Sequence, residues 1–315
     1  MKNLKIVAAL LIIILLSLYA FLALSHQEGK VVGNSVKPIV AVTTFAPYDI
    51  VKHIAKNSVE IVNIIPFGVD PHSFEPTPRL MAKIEKADLV FYSGAGLEPW
   101  VHGFHFKNKA IDLSRYVNLR KLGENEFEHH EHHDEQCAHS DIDPHYWLDF
   151  ENMQKITHLI TNELVKLQPK FESMYRENEN SYIHMLQKLD KSYKKYLSAC
   201  RINTVVASHN ALGYLAQRYN FKVDSLTGLS PESQPSAKDI TRIMKQIQKD
   251  GVHTIFFEHF VNDKVIKSIA KDTNIEVDVF QPLGNITADE AKEGLSYEDF
   301  MYKNLEKLTK ALLCN

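Results

Sequence analysis

The sequence lacks the surplus of lysine and arginine that nucleic-acid-binding proteins use. Its 315 residues include 36 basic and 39 acidic side chains, so the formal net charge is -3. Because affinity for a phosphate backbone comes from clustered positive charge, this balance argues against nucleic acid as a partner. A hydrophobic content of 44% with 24% charged residues is typical of a globular protein, and the length suffices for two ordinary domains.

Cysteine is scarce as well, which excludes a framework of several disulfides. The chain has three cysteines, Cys137, Cys200 and Cys314, so they cannot all pair with one another. In an oxidising compartment any one of the three pairs can form, and the alternative of three free thiols stays open. Cys137 lies in a histidine-rich stretch, where its sulfur could serve as an additional soft metal ligand.

A long apolar run stands at the N-terminus, from Ile6 to Leu24. Two lysines precede it and small residues end it, so residues 1–25 are interpreted as a secretory signal peptide. The run is also nearly long enough to span a hydrocarbon core of ~30 Å, so an uncleaved membrane anchor is the alternative. No cysteine directly follows, which excludes the bacterial lipoprotein pathway. We expect export to the periplasm or the extracellular face of the cytoplasmic membrane, with residues 26–37 as a spacer.

Beyond residue 38, short apolar segments alternate with amphipathic ones. This alternation predicts an α/β fold with two lobes, each a mostly parallel sheet with flanking helices, joined by one long helix. The predicted strands are 39–45, 59–65, 88–93, 202–208, 221–226, 253–258 and 276–280. The predicted helices are 48–56, 78–87, 211–220, 237–250, 263–273 and 297–313.

The predicted domain organisation follows from the same pattern. An N-terminal metal-binding lobe covers residues 38–150 and a C-terminal metal-binding lobe covers 201–315. A helical linker, 151–200, joins them, and its long helix over 170–199 would measure about 45 Å. Within the first lobe, residues 124–143 lack periodic apolar positions and are predicted to form a loop.

Three histidines lie where a predicted strand, or the loop after one, should end: His72, His145 and His209. Such positions are favoured for ligands in open α/β sheets. Two of the three share the tripeptide Asp-Pro-His. Proline restricts its own backbone and that of the residue before it, so each of these two histidines should leave a stiff turn. Rigid presentation suits a metal ligand.

A second group of histidines lies within the predicted loop, where imidazole and carboxylate side chains alternate. This composition favours a metal-binding role over a merely solvated acidic loop. We interpret the group as an auxiliary, weaker metal-collecting set made of His129, His130, His132, His133 and His139.

The chain resembles the metal-binding receptors of ABC uptake systems, the cluster A-I solute-binding proteins, and among them the zinc receptors. The resemblance covers most of residues 38–313. It rests on several segments in the right order, among them "DPHSFEPTP", "ADLVFYSGAGLEPW", "DPHYWLD", "SHNALGYLAQRYNF" and "SPESQPSAKDI". A histidine-rich loop before the second Asp-Pro-His is also similar to what zinc members carry.

The resemblance implies that His72, His145 and His209 bind one metal ion in the cleft between the lobes. It also implies a fourth ligand, often an aspartate, near the end of the last strand. Gln281 occupies that position here and is a poor zinc ligand, so water, Glu258 or a loop histidine are the other candidates. Three neutral imidazoles favour Zn²⁺, because Mn²⁺ prefers more oxygen donors.

These expectations define an extracytoplasmic, high-affinity zinc-binding protein that delivers Zn²⁺ to a membrane permease and its ATPase, acts as a monomer and catalyses nothing. A zinc-dependent hydrolase is the rival, since three histidines and an open water position would also suit an enzyme. The sequence lacks a His-Glu-x-x-His helix, although Glu258 could act as a base. A metal-containing adhesin of the same fold is the third alternative.

Overall fold

The computed structural model describes residues 37–122, 142–229, 231, 233–260 and 264–315. Pro38–Asn315 forms one compact unit. Within the described residues, each helix is too short or too polar to cross a bilayer. The predicted export segment, the spacer up to residue 36 and the five histidines of the auxiliary set lie outside the described residues.

The first sheet has four strands in the order β2-β1-β3-β4, all parallel. They are β1 (Ile39–Val42), β2 (Glu60–Asn63), β3 (Leu89–Tyr92) and β4 (Lys109–Asp112). Helices α1 (Phe45–Ala55) and α2 (Pro78–Ile84) connect the first three strands. The sequence prediction missed β4, because its four residues show no alternation of polar and apolar side chains and follow a stretch without a clear period.

A short antiparallel pair follows, formed by β5 (Arg120–Lys121) and β6 (Ile142–Asp143). The second sheet has the order β10-β9-β7-β8 and is again parallel throughout. Its strands are β7 (Thr204–Ala207), β8 (Lys222–Ser225), β9 (Thr254–Phe257) and β10 (Glu276–Val279). Its helices are α5 (Gly213–Tyr219), α6 (Ala237–Asp250) and α7 (Lys264–Thr273), and the chain ends with α8 (Ala288–Glu293) and α9 (Tyr297–Ala311).

Two helices lie between the sheets in sequence, α3 (Phe150–Leu167) and α4 (Glu172–Tyr196). With 25 residues, α4 is about 37 Å long, somewhat shorter than predicted. It packs against α1 near the first sheet and against α9 at the end of the chain. The structure thus confirms the predicted fold class, two parallel sheets with flanking helices joined by one long helix.

One hydrophobic cluster joins the two sheets. It contains Val42 of β1, Ala207 of β7 and side chains from α3 and α4. The segment after β10 also crosses to the first sheet by backbone hydrogen bonds. There the Phe45 amide donates to the carbonyl of Gly284 at 3.1 Å, and the Gly68 amide donates to the carbonyl of Ile286 at 2.8 Å.

Trp147 fixes the same segment from another side. Its indole Nε1 donates to the Pro282 carbonyl at 2.7 Å, and its own carbonyl accepts from the Tyr297 hydroxyl at 2.7 Å. A Cβ at Gly284 would lie 3.4 Å from both Pro71 and the Trp147 ring, so only a small residue allows this approach without a shift. These contacts hold loops from both sheets around one small cavity.

A disulfide joins Cys200 to Cys314 across 114 residues of sequence. Of the three pairs that the sequence left open, the structure therefore selects the one that ties the segment between α4 and β7 to the end of the chain. Cys137 lies outside the described residues.

Candidate metal site

His72, His145 and His209 come together at the cavity. One ring nitrogen from each can be chosen such that all three lie within 4.8 Å of one another. The ring centroids are 5.2 Å apart for His145 and His209, 5.3 Å for His72 and His145, and 5.8 Å for His72 and His209. His72 comes from the loop after β2, His145 follows β6, and His209 follows β7. Three distant parts of the chain thus supply one cluster of nitrogen donors.

The two Asp-Pro-His tripeptides form the same local turn. In the first, the backbone amide of His72 donates to Oδ1 of Asp70 at 2.8 Å. In the second, the backbone amide of His145 donates to Oδ1 of Asp143 at 3.0 Å. Each aspartate closes a two-residue turn around the rigid proline, which restricts the backbone of the histidine that follows.

His145 is held by a hydrogen bond at one ring nitrogen, and its other ring nitrogen faces His209. Its Nδ1 donates to Oδ1 of Asp143 at 2.9 Å, and its Nε2 lies 3.3 Å from Nε2 of His209. Asp143 is fully buried, and its second oxygen accepts from the Arg120 guanidinium at 3.1 Å. The Tyr214 hydroxyl donates to the Asp143 carbonyl at 2.9 Å. This network directs Nε2 of His145 toward the cavity.

His209 has the corresponding arrangement. Its Nδ1 contacts the Glu258 carboxylate, and its Nε2 points at His145. Both residues are buried, with exposed fractions of 1% for His209 and 7% for Glu258. Burial by itself lowers the pKa of His209, but the adjacent Glu258 carboxylate and the charges of Asp70 and Asp143 together raise that pKa above its ordinary value.

His72 differs, because burial and the two neighbouring imidazoles hold its pKa well below the ordinary value. At neutral pH this ring is therefore uncharged and offers a lone pair, which is the form that binds a metal ion.

The cavity at the histidine cluster measures about 20 Å³, which is roughly the room that a single water-sized particle needs. Besides the three histidines, it is lined by Asp70, Pro71, Leu97, Trp147, Glu258, Phe260, Pro282, Gly284 and Asn285. A site of this size suits a single ion rather than an organic ligand, for which pockets of about 300–1,000 Å³ are usual.

The two protein candidates for a fourth ligand are placed differently. Gln281 is not among the described residues that line the cavity, and its Nε2 donates to Glu290 at 3.2 Å. Glu258 does line the cavity, but its carboxylate contacts Nδ1 of His209, on the ring edge away from Nε2. The sequence analysis missed this supporting position, and it also gave Asp143 no role beyond its turn. For Asp143 the sequence did contain a signal, because this aspartate stands two residues before His145, close enough to contact its ring.

Two other described histidines, to which the sequence gave no role, lie away from the cavity. His53 contacts Asp49 within α1, and His158 of α3 contacts Glu179 of α4. The first contact lies within one helix and the second joins two helices, and neither residue pair lines the cavity. Within the described residues, the cluster of His72, His145 and His209 is the one group of three or more potential ligands close enough to share an ion.

The chain is similar to known proteins over most of its length. The family model described as ZnuA, the periplasmic component A of the zinc-uptake complex, matches residues 40–311. The high-affinity zinc uptake system protein ZnuA of Bacillus subtilis strain 168 is 33% identical over 294 residues, which cover 92% of each chain. The zinc-binding lipoprotein AdcA of Streptococcus pneumoniae R6 is 32% identical over 273 residues, and the match spans 85% of this chain but 54% of that longer protein.

Solved structures superpose on the chain over most of its length. The Zn(II)-bound ZnuA-like domain of S. pneumoniae AdcA superposes with a TM-score of 0.72 at 27% identity, covering 88% of this chain and 99% of that one. The laminin-binding protein of Streptococcus agalactiae, described as bifunctional with adhesin and metal-transporting activity, superposes with a TM-score of 0.76 at 27% identity, covering 87% and 99%.

Proposed function

The chain belongs to the family of periplasmic component A proteins of zinc-uptake complexes, and we propose that it is an extracytoplasmic receptor for Zn²⁺. In this proposal it captures the ion between its two lobes, residues 38–150 and 201–315, and delivers it as a monomer to an ABC permease with its ATPase. The names of the relatives, which are zinc-uptake and zinc-binding proteins, support this assignment.

One observation carries the proposal: three imidazoles converge within 4.8 Å at a buried cavity of single-ion size. We propose His72, His145 and His209 as the ligands. Imidazole nitrogen is a preferred donor for zinc in tetrahedral sites, whereas manganese and magnesium prefer oxygen. A water molecule is the proposed fourth ligand, because the Gln281 amide donates to Glu290 and Glu258 contacts the outer nitrogen of His209.

Export through residues 1–25 is part of the proposal. The Cys200–Cys314 disulfide supports it, since structural disulfides are rare in reducing compartments and common outside them. The histidines from His129 to His139 are proposed to bind further zinc ions more weakly and to raise the local supply of metal near the receptor site.

The hydrolase alternative loses support at Glu258. A hydrolase needs a general base within hydrogen-bond reach of the metal-bound water. Glu258 is the candidate named by sequence, but it is already engaged by Nδ1 of His209 and by the Ser208 hydroxyl, which donates to it at 3.5 Å. The proposed function therefore includes no catalytic step.

Calorimetric titration of the purified chain without residues 1–25 and zinc uptake by cells test the proposal. Calorimetric titration should give one tight zinc site and clearly weaker binding of Mn²⁺. In cells lacking the gene, uptake of radioactive zinc at low external zinc should fall and be restored by the wild-type gene but not by a His145→Ala variant. Unchanged uptake after gene loss, together with adhesion to laminin that does not require the histidines, would instead favour the adhesin alternative.

A further inference from the structure

The proposed ligands of the candidate zinc site carry no negative charge. Three imidazoles are neutral ligands, and Gln281 occupies the position at which the family's pattern has an aspartate. A divalent cation that leaves water for a buried site without negative charge nearby is strongly disfavoured. Carboxylates that lie beside the proposed ligands, without binding the ion themselves, are a source of the compensating charge.

Two buried carboxylates lie against the Nδ1 atoms of two of the proposed ligands. Asp143 lies behind His145, with Oδ1 2.9 Å from Nδ1, and Glu258 lies behind His209 in direct contact with Nδ1. Asp143 has no exposed surface and Glu258 is 7% exposed. Charges in such surroundings are screened far less than charges in water, so they act across the width of a ring.

We propose that Asp143 and Glu258 are positioning residues that hold His145 and His209 with Nδ1 protonated and Nε2 free for zinc, and that their charges replace the carboxylate missing at Gln281. The inference rests on the proposed function, because it assigns a role to the surroundings of the same site.

The tautomer follows from elementary hydrogen-bond chemistry. A carboxylate only accepts, so the imidazole nitrogen that faces it must carry the proton. A neutral imidazole has one protonated nitrogen, which leaves the lone pair on Nε2. In both histidines Nε2 is the nitrogen that faces the other ring, at 3.3 Å. The two carboxylates therefore point both lone pairs at the same volume.

The two carboxylates are not equivalent. Asp143 shares its charge with Arg120, whose guanidinium lies 3.1 Å away at a side chain that is 14% exposed. The contacts of Glu258 are with His209 and the neutral Ser208 hydroxyl. More of the negative charge of Glu258 is therefore available to the ion, and we expect Glu258 to contribute more to affinity than Asp143.

Glutamine and asparagine variants test the charge while they keep a side-chain oxygen in place. Glu258→Gln and Asp143→Asn should each weaken zinc binding by about 10- to 100-fold, as is typical when a carboxylate behind a ligand histidine is removed, with the larger loss at Glu258. Asp190→Asn is the matched control. Asp190 accepts from Arg218 at 2.8 Å and from Tyr219 at 2.7 Å, but belongs to helix contacts and does not line the cavity. The zinc affinity of the Asp190→Asn variant should stay within about twofold of wild type, which is the scatter expected when a paired charge away from the site is changed.

A second readout separates positioning from general stability. Long-range ¹H–¹⁵N spectra of the metal-free chain report which ring nitrogen of each histidine carries the proton. The wild type should show Nδ1–H in His145 and His209, and each variant should show a mixture of tautomers at the histidine it supports, whether or not its melting temperature changes. The inference would be overturned if both variants bound zinc as tightly as the wild type, or if His145 and His209 of the wild type carried the proton on Nε2. Failure of the wild type to bind zinc would instead overturn the proposed function.

Discussion

Nε2 of His145 and Nε2 of His209 lie 3.3 Å apart, although 64 residues separate the two histidines in the chain. Two nitrogens that bind one zinc ion tetrahedrally, with bonds of about 2.0–2.1 Å, are themselves separated by about 3.3–3.4 Å. The pair therefore already has the spacing of two zinc ligands. His145 follows β6 and His209 follows β7 of the second sheet, so the fold brings two distant parts of the chain together at the candidate site.

Replacement of a single ligand should abolish tight binding. We expect His72→Ala, His145→Ala and His209→Ala each to weaken zinc binding by several kcal/mol, because two imidazoles hold the ion poorly in a site formed by three. His158→Ala is the control, since that exposed histidine of α3 contacts the buried Glu179 of α4 and does not line the cavity. Competition titration with a chromophoric chelator measures all four affinities. Wild-type affinity in any of the three ligand variants would remove that histidine from the site.

Zinc binding should weaken as the pH falls, and the weakening should begin near neutral pH. The pKa of His209 lies above its ordinary value, so protons compete with the ion at this ring already near neutral pH, whereas the lowered pKa of His72 keeps that ring available. Binding should release protons, which calorimetry in two buffers of different ionisation enthalpy detects. In Glu258→Gln the onset of the loss should move to lower pH, because the neighbouring charge that raises the pKa of His209 is gone. An onset at the same pH in both proteins would contradict this explanation.

Loss of the disulfide should lower stability without changing zinc affinity much. The bond closes a loop of 114 residues, so Cys200→Ser with Cys314→Ser should reduce the free energy of unfolding by about 2–5 kcal/mol. Neither cysteine lines the cavity. Urea unfolding of the metal-free proteins measures the difference, and Cys137→Ser serves as the control for loss of a thiol. Equal midpoints for the double variant and the wild type would show that the bond does not form in the protein.

Removal of residues 124–139 should leave one tight zinc site. The three candidate ligands all lie outside this range, and the removed stretch has few apolar residues that could contribute to a core. Calorimetric titration should show fewer weak sites and an unchanged tight one. A variant with a Gly/Ser segment of equal length controls for the shortened connection. If the tight site disappears in both variants, the ligand assignment is wrong.

Helix positions were predictable where local chemistry marks both ends. Helix α6 has the predicted bounds because Ser236 and Asp239 form a capping box at its start and Gly251 adopts a left-handed conformation at its end. Strand β4 was missed, since Lys109–Asp112 offers four residues of mixed polarity and gains its place only by pairing with β3. A segment of four residues is too short to show by its own sequence pattern that it pairs with another strand.

The site was predictable to a similar extent. The histidines stood out because strand ends and Asp-Pro-His turns are readable in sequence, and the structure brings all three together. Which side of a ring faces the cavity depends on contacts over long sequence distances. The separation of 49 residues between His209 and Glu258 is an example, and it explains why Glu258 was considered as a ligand rather than as a support.

A crystal structure of the zinc-loaded protein, with anomalous data collected on both sides of the zinc absorption edge, tests the central claim most directly. We expect one strong anomalous peak at the cavity, with Nε2 of His145 and His209 and one ring nitrogen of His72 at about 2.0–2.1 Å from it. The Asp143 and Glu258 carboxylates should remain on the Nδ1 atoms. A principal peak away from these histidines, or a His209 ring turned out of the cavity, would contradict the account.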